Sequence, residues 1–487
     1  MFNKKRLLLV IAILVLGIVF TGCSGDSAVT ELTEDVDGPP QVIVNEKSDQ
    51  FTATGPTGSD YSWQVANGLG TFTNRTSNKT KFIASKEALN QGRIDISVLI
   101  DNTEKTIEDI EVLSNDSKTE YAKGSFHSIV STDDMNRKGY LAAGTVGDLN
   151  SSNSRHPYMV KADNRGVTIE KKEFNREGRF YEVKDFVRTA RGDYYYLIGY
   201  GTVNGDVSQE FVLELNNKMV INKDYNSGGI TTGDTYLRSG IISKNIFASD
   251  HVIAVGNTRL DNGNLAPYII DINTNDAADV TPHILDNDYG YEFANSYYNL
   301  ESIVEINNGY IAVGFTGANR SGAEGIILRL NSEFNVTEVN TSITEKLFKI
   351  KKVKNVTGVD YVVVGDNGYI GEIDDNSSNL TITSDNIGTA RYRDVLVDGS
   401  NYIVVGAKDS NNDDKYDQGV VSKLTAGSLA NSDSFTQNYG SYLYSVDKAT
   451  DGDYLLAGHS TSNDGSTNSY VVKINPSDGS VVDRVKE

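Results

Sequence analysis

The chain has 487 residues, and its 45 Lys and Arg against 66 Asp and Glu give a formal net charge of −21. A polymer this acidic repels nucleic acid and anionic headgroups, so its soluble part is a poor candidate for a DNA or RNA binder and no nucleic-acid partner is expected. A single cysteine excludes internal disulfides and Cys-zinc sites, while 45 glycines, 27 tyrosines and only seven prolines point to many short strands and turns.

The first elements give an address. Lys4, Lys5 and Arg6 precede an apolar run from Leu7 to Phe20, followed by Thr21-Gly22-Cys23-Ser24. As a helix the run reaches about 21 Å, short of the roughly 30 Å hydrocarbon core, so it reads as a secretory signal and not a membrane span. Phe20-Thr21-Gly22-Cys23 resembles the lipobox of bacterial lipoproteins, with Phe where Leu is usual. That resemblance implies removal of residues 1–22, diacylglycerol on the Cys23 thiol, and a chain anchored in a lipid bilayer of the bacterial cell envelope, outside the cytoplasm. Residues 23–40 are rich in Ser, Thr, Asp, Glu and Gly and end in Gly38-Pro39-Pro40, the composition of a flexible tether.

A small all-β module is expected over 41–115. Candidate strands are Gln41–Asn45, Gln50–Thr54, Tyr61–Ala66, Thr80–Ala84, Ile94–Ile100 and Thr106–Val112, separated by turn clusters such as Gly55-Pro56-Thr57-Gly58. The lone Trp63 lies in the third of them. The run from Tyr61 to Gly70 and the alternating Arg93-Ile94-Asp95-Ile96-Ser97-Val98 resemble bacterial Ig-like or PKD-type modules. Membership implies a β-sandwich serving as a spacer or a binding module.

Residues 120–487 read as a repeat array. An apolar run ending in Gly recurs seven times, at Gly144, Gly199, Gly256, Gly314, Gly365, Gly406 and Gly458. A typical run is Tyr310-Ile311-Ala312-Val313-Gly314. Such runs demand burial on both faces, and the terminal Gly implies close backbone approach. A second strand follows each Gly, as in Ile326-Ile327-Leu328-Arg329-Leu330-Asn331, and in the fifth repeat Asp366-Asn367-Gly368 makes a direct hairpin. The repeats, most clearly Asp451 to Asn475, resemble bacterial propeller-type repeats. The expectation is therefore an all-β chain, a small Ig-like β-sandwich followed by a seven-bladed β-propeller. A β-helix or a row of separate sandwiches is the competing arrangement.

Catalytic signatures are scarce. The five histidines are scattered, and HExxH, GxSxG, P-loop and GxGxxG motifs are all absent. Asp133-Asp134 and Asp374-Asp375 sit at strand ends, where solvated turns explain them. Two loops stand out. Asp286 to Tyr298 mixes carboxylates with Tyr289, Tyr291 and Tyr297, a combination suited to glycan or peptide contact. In the sixth repeat, Asp409, Asn411, Asp413, the Lys415 carbonyl and Asp417 resemble the calcium loops of integrin-type propellers, which implies a calcium ion held by those five residues. The favoured function is a surface binding or scaffold lipoprotein presenting its propeller to an extracellular protein or glycan. The alternative is a polysaccharide hydrolase or lyase with carboxylates in the propeller funnel.

Overall fold

The computed structural model describes residues 35–482 apart from 39–40, 44–46, 49, 92, 114–118, 133–138, 148–154, 165, 167, 175–178, 190–192, 204–206, 226–232, 245–249, 277–278, 286–296, 320, 376–379, 410–415, 436–439 and 462–466. Among the described residues it is all-β apart from one short helix, Lys86–Gln91, and the chain divides into two compact units, Met1–Ser114 and Asn115–Glu487.

In the first unit, strands Gln41–Ile43, Thr103–Leu113, Arg93–Ile100 and Tyr61–Gln64 form one sheet in that order. Asp35–Asp37, Phe51–Thr54 and Lys79–Thr80 form a second, and Gly70–Phe72 pairs with Phe82–Ala84. Arg93–Ile100 alternates as its period-two pattern requires, burying Ile94, Ile96, Val98 and Ile100 on one face. Those side chains meet Phe51 and Phe82 around the fully buried Trp63. The indole lies edge-on to Phe51 at 6.0 Å, and its Nε1–H donates to the Ser77 carbonyl at 2.8 Å, so the one polar atom it buries is satisfied. Asp35–Asp37 falls inside the stretch read as tether, yet it pairs with Thr52 to Thr54 because Val36 packs against this core.

The second unit consists of successive antiparallel meanders, here sheets 1 to 7. Their first strands are Thr119–Thr132, Arg179–Arg188, Thr235–Ser243, Tyr297–Ile306, Leu347–Lys352, Arg391–Asp398 and Tyr442–Lys448. Sheets 1 to 6 each have four strands. Sheet 7 supplies three and takes its fourth from the start of sheet 1, where Thr119 and Glu120 pair with Val471 and Tyr470. The second strand of each sheet is the Gly-ending run, and it is buried on both faces. In sheet 4, Tyr310 and Ala312 join a core shared with sheet 3, whereas Ile311 and Val313 join one shared with sheet 5. Cores of this kind lie between successive sheets, including one between sheets 7 and 1 that joins Leu455 and Ala457 to Phe126 and Tyr140. In sheet 5 the two-residue turn has φ of 52° at Asn367 and 73° at Gly368, the left-handed geometry for which Asn-Gly is selected.

Candidate binding site

One distortion recurs in every first strand. The ladder to the second strand slips by one residue, leaving His127, Lys184, Arg238, Glu301, Phe348, Arg393 and Tyr444 without a partner. A bulge of this kind bends its strand and re-aims the extra side chain. All seven line a single cavity of about 340 Å³. In every sheet the residue just before the bulge faces the repeat glycine: Phe126 faces Gly144, Leu300 faces Gly314, Leu443 faces Gly458. A Cβ on any of the seven glycines would overlap the carbonyl oxygen two positions before the bulge, for example that of Ser125, Asn299 or Tyr442. The glycines are thus the second-strand half of the device that turns one residue per sheet into the cavity.

The residue after the bulge ties neighbouring sheets together. Asp185 Oδ2 accepts from the Gly240 N–H at 3.4 Å, and Asp394 Oδ2 from the Val446 N–H at 3.0 Å. Ser445 Oγ makes the same link from sheet 7 to sheet 1, accepting from the Ile129 N–H at 3.3 Å. In each case a buried amide next to the bulge in one sheet is satisfied by a side chain of the sheet before it.

The cavity wall mixes charge with rings. Arg393 lies 4.0 Å over Phe348, and Arg238 sits over Tyr200 and Tyr236 at 5.4 and 5.8 Å. His127 and Tyr444 are 4.4 Å apart, and Tyr444 stacks on Tyr442 at 4.6 Å. Burial opposes ionisation of Glu182, but Lys184 beside it and the Tyr200 hydroxyl at 2.8 Å outweigh this and hold the carboxyl well below its usual range. Asp394 follows the same logic: burial works against its charge, and Lys351 at 3.0 Å, Lys349 and the Val446 amide prevail. Burial, reinforced by Lys184, pushes His127 well below its ordinary value. Burial alone lowers His459, behind Tyr444, to about 4. These acids therefore stay ionised and these imidazoles neutral around neutral pH. That pattern suits a fixed electrostatic surface, because a general acid or base works best with a pKa near the operating pH.

Of the residues singled out from sequence, Tyr297 lines this cavity, with its ring stacked 6.0 Å from Phe315. Tyr289 and Tyr291 lie outside the described residues, as do Cys23, Asn411, Asp413 and Lys415. Asp409 and Asp417 flank that last gap; both are half-buried, and the Asp417 N–H donates to the Lys408 carbonyl at 3.1 Å. Among the described residues no three His, Cys, Asp or Glu side chains are grouped to hold a metal ion, and no helix is long and apolar enough to cross a membrane. No known protein family matches the chain, and no curated protein sequence matches it significantly.

Proposed function

We propose that this chain is a lipid-anchored extracytoplasmic binding protein, in which an Ig-like module carries a seven-bladed β-propeller whose central cavity faces the ligand. The reading rests on one observation above all: seven equivalent backbone bulges deliver seven side chains of six different types to one cavity. Repetition of the backbone with variation of the exposed residue is what a recognition surface on a repeat scaffold requires. The propeller reading is supported by three relations between sheets 7 and 1: the strand pairing at Thr119, the shared core at Phe126, and the Ser445–Ile129 hydrogen bond. The Ig-like reading rests on the two sheets packed around Trp63, and the anchor rests on Cys23 in its lipobox-like setting.

A binding role is favoured over polysaccharide cleavage because Glu182 and Asp394, the cavity carboxylates whose protonation is displaced, are both held ionised by cations. Neither matches the proton donor that glycoside hydrolysis needs, a carboxyl with its pKa raised. The full chain, held in detergent micelles, should be probed on a glycan array and incubated with soluble polysaccharides. Retention on the array without release of reducing ends is expected; release of reducing ends would establish the hydrolase or lyase instead.

A further inference from the structure

The cavity belongs to a protein of net charge −21, yet its own charge balance is positive. Four acids line it: Glu182, Asp185, Glu301 and Asp394. Three are neutralised locally. Glu182 pairs with Arg155 at 3.1 Å and with Lys184, Asp185 with Lys349 at 3.3 Å, and Asp394 with Lys351 at 3.0 Å. Glu301 remains, against Arg238 and Arg393, neither of which forms an ion pair among the described residues.

Both guanidiniums are held from the side and left open at the tip. Arg238 is stacked over two tyrosine rings, its Nε is buried without an acceptor, and no hydrogen bond holds its other nitrogens among the described residues. Arg393 is stacked over Phe348 and donates from Nε to the Tyr442 hydroxyl at 2.8 Å, so its two terminal nitrogens are its unspent donors among the described residues. A guanidinium carries five N–H donors in a planar fork that matches the two oxygens of a carboxylate. Among the described residues the buried Arg238 Nε–H has no acceptor, which costs free energy that an incoming anion can recover, and the terminal nitrogens of both forks are open to the cavity as further donors. Ring stacking fixes the plane of the fork beforehand, so little side-chain entropy is lost on binding.

We propose that the cavity binds a single carboxylate carried on a small organic scaffold, about the size of one acidic sugar residue, through the forks of Arg238 and Arg393. The proposal deepens the binding reading above and depends on it. Arg155, Lys184, Lys349, Lys351, Arg238 and Arg393 against Glu182, Asp185, Asp394 and Glu301 leave two positive charges, so the cavity attracts an anion. The planar forks match the two oxygens of a carboxylate, while Glu301 beside them disfavours a second negative charge at the same point. A volume of about 340 Å³ accommodates a small ligand of this kind but not a folded partner. Tyr297 and Tyr444, which line the same cavity, bring rings suited to the apolar side of a sugar.

The test is calorimetric titration of the full chain in detergent with D-glucuronate, D-glucose and inorganic phosphate. D-glucuronate should bind saturably and in preference to the other two. Arg238→Lys and Arg393→Lys, which keep the charge but lose the fork, should each weaken it by about tenfold or more. Circular dichroism melts of both variants should match the parent, so that loss of binding is not loss of fold. Three results would overturn the proposal: no saturable heat with D-glucuronate at tens of millimolar, equal binding of D-glucose, or parent-like affinity in both lysine variants. Retention of neutral glycans on the array alongside any of these would remove carboxylate recognition and leave the binding reading standing.

Discussion

Gly256 sits directly opposite Leu237 in the sheet 3 ladder, and a Cβ on Gly256 would overlap the carbonyl oxygen of Tyr236. Arg238 is the next residue, and its place in the cavity exists only because that carbonyl can lean across the ladder. Glycine on one strand and bulge on the other are two halves of one feature.

The first prediction follows from that contact. Gly256→Ala should destabilise the second unit by about 2–3 kcal/mol, since the obstacle is backbone that cannot rotate away. Gly322→Ala is the control, because a Cβ there meets only Asn319 Oδ1 at 3.9 Å, and it should stay within about 0.5 kcal/mol. Urea unfolding of both variants checks the difference.

Asp394 carries more than its cavity position. It is buried, pairs with Lys351 at 3.0 Å, and accepts from the Val446 N–H and the Ser445 hydroxyl, each at 3.0 Å. Asp394→Ala leaves a cation and an amide uncompensated and should cost about 3–5 kcal/mol in urea unfolding. Adding Lys351→Met should recover part of that loss, and a double-mutant cycle would show the coupling.

Stability should fall with acid between pH 6.5 and 4 in part because of a buried histidine. His459 is held neutral, with its pKa lowered to about 4 from 6.5 and its Nδ1 buried without a partner. A depressed histidine pKa means that the unfolded chain takes up the proton first. Its contribution is full above pH 6.5 and is lost as pH falls toward 4, by at most about 3 kcal/mol. Glu182 and Asp394, whose pKa values are depressed, stay ionised through this window. His459→Phe keeps a ring against Tyr442 and Tyr444 and should reduce the dependence of the urea midpoint on pH between 6.5 and 4, with the remainder carried by groups such as the buried His127.

The anchor is tested independently of the fold. On the proposed lipid anchor, Cys23→Ser should release the chain into the aqueous phase on detergent partitioning, because the acyl chains carried by that thiol are what hold it, and among the described residues no helix is long and apolar enough to cross a membrane. Equal retention of the variant would place the attachment elsewhere.

The repeat glycines were legible in the sequence, and so was the need for close approach. What they approach was not: the partner is a carbonyl of the neighbouring strand, visible only once the ladder register is known. The cavity residues left a trace as well. Phe126-His127-Ser128-Ile129, Val183-Lys184-Asp185-Phe186 and Leu443-Tyr444-Ser445-Val446 share a form, an apolar residue, a variable one, a Ser or Asp, then an apolar residue. The variable position reads as noise because seven sheets fill it with six different residue types, and only the bulge shows that they converge. The lone Trp63 was legible as part of a strand of the first unit and turns out to be the centre of its core, whereas Asp35–Asp37 was hidden because two acids flank its one apolar, partly buried side chain.

An experimental structure of the chain from Ser24 onward would show whether seven sheets converge on one cavity. The account predicts seven four-stranded sheets with His127, Lys184, Arg238, Glu301, Phe348, Arg393 and Tyr444 around one cavity, and Ser445 Oγ within hydrogen-bonding distance of the Ile129 amide. Six or eight sheets, or sheets 1 and 7 standing apart with those residues dispersed, would contradict it.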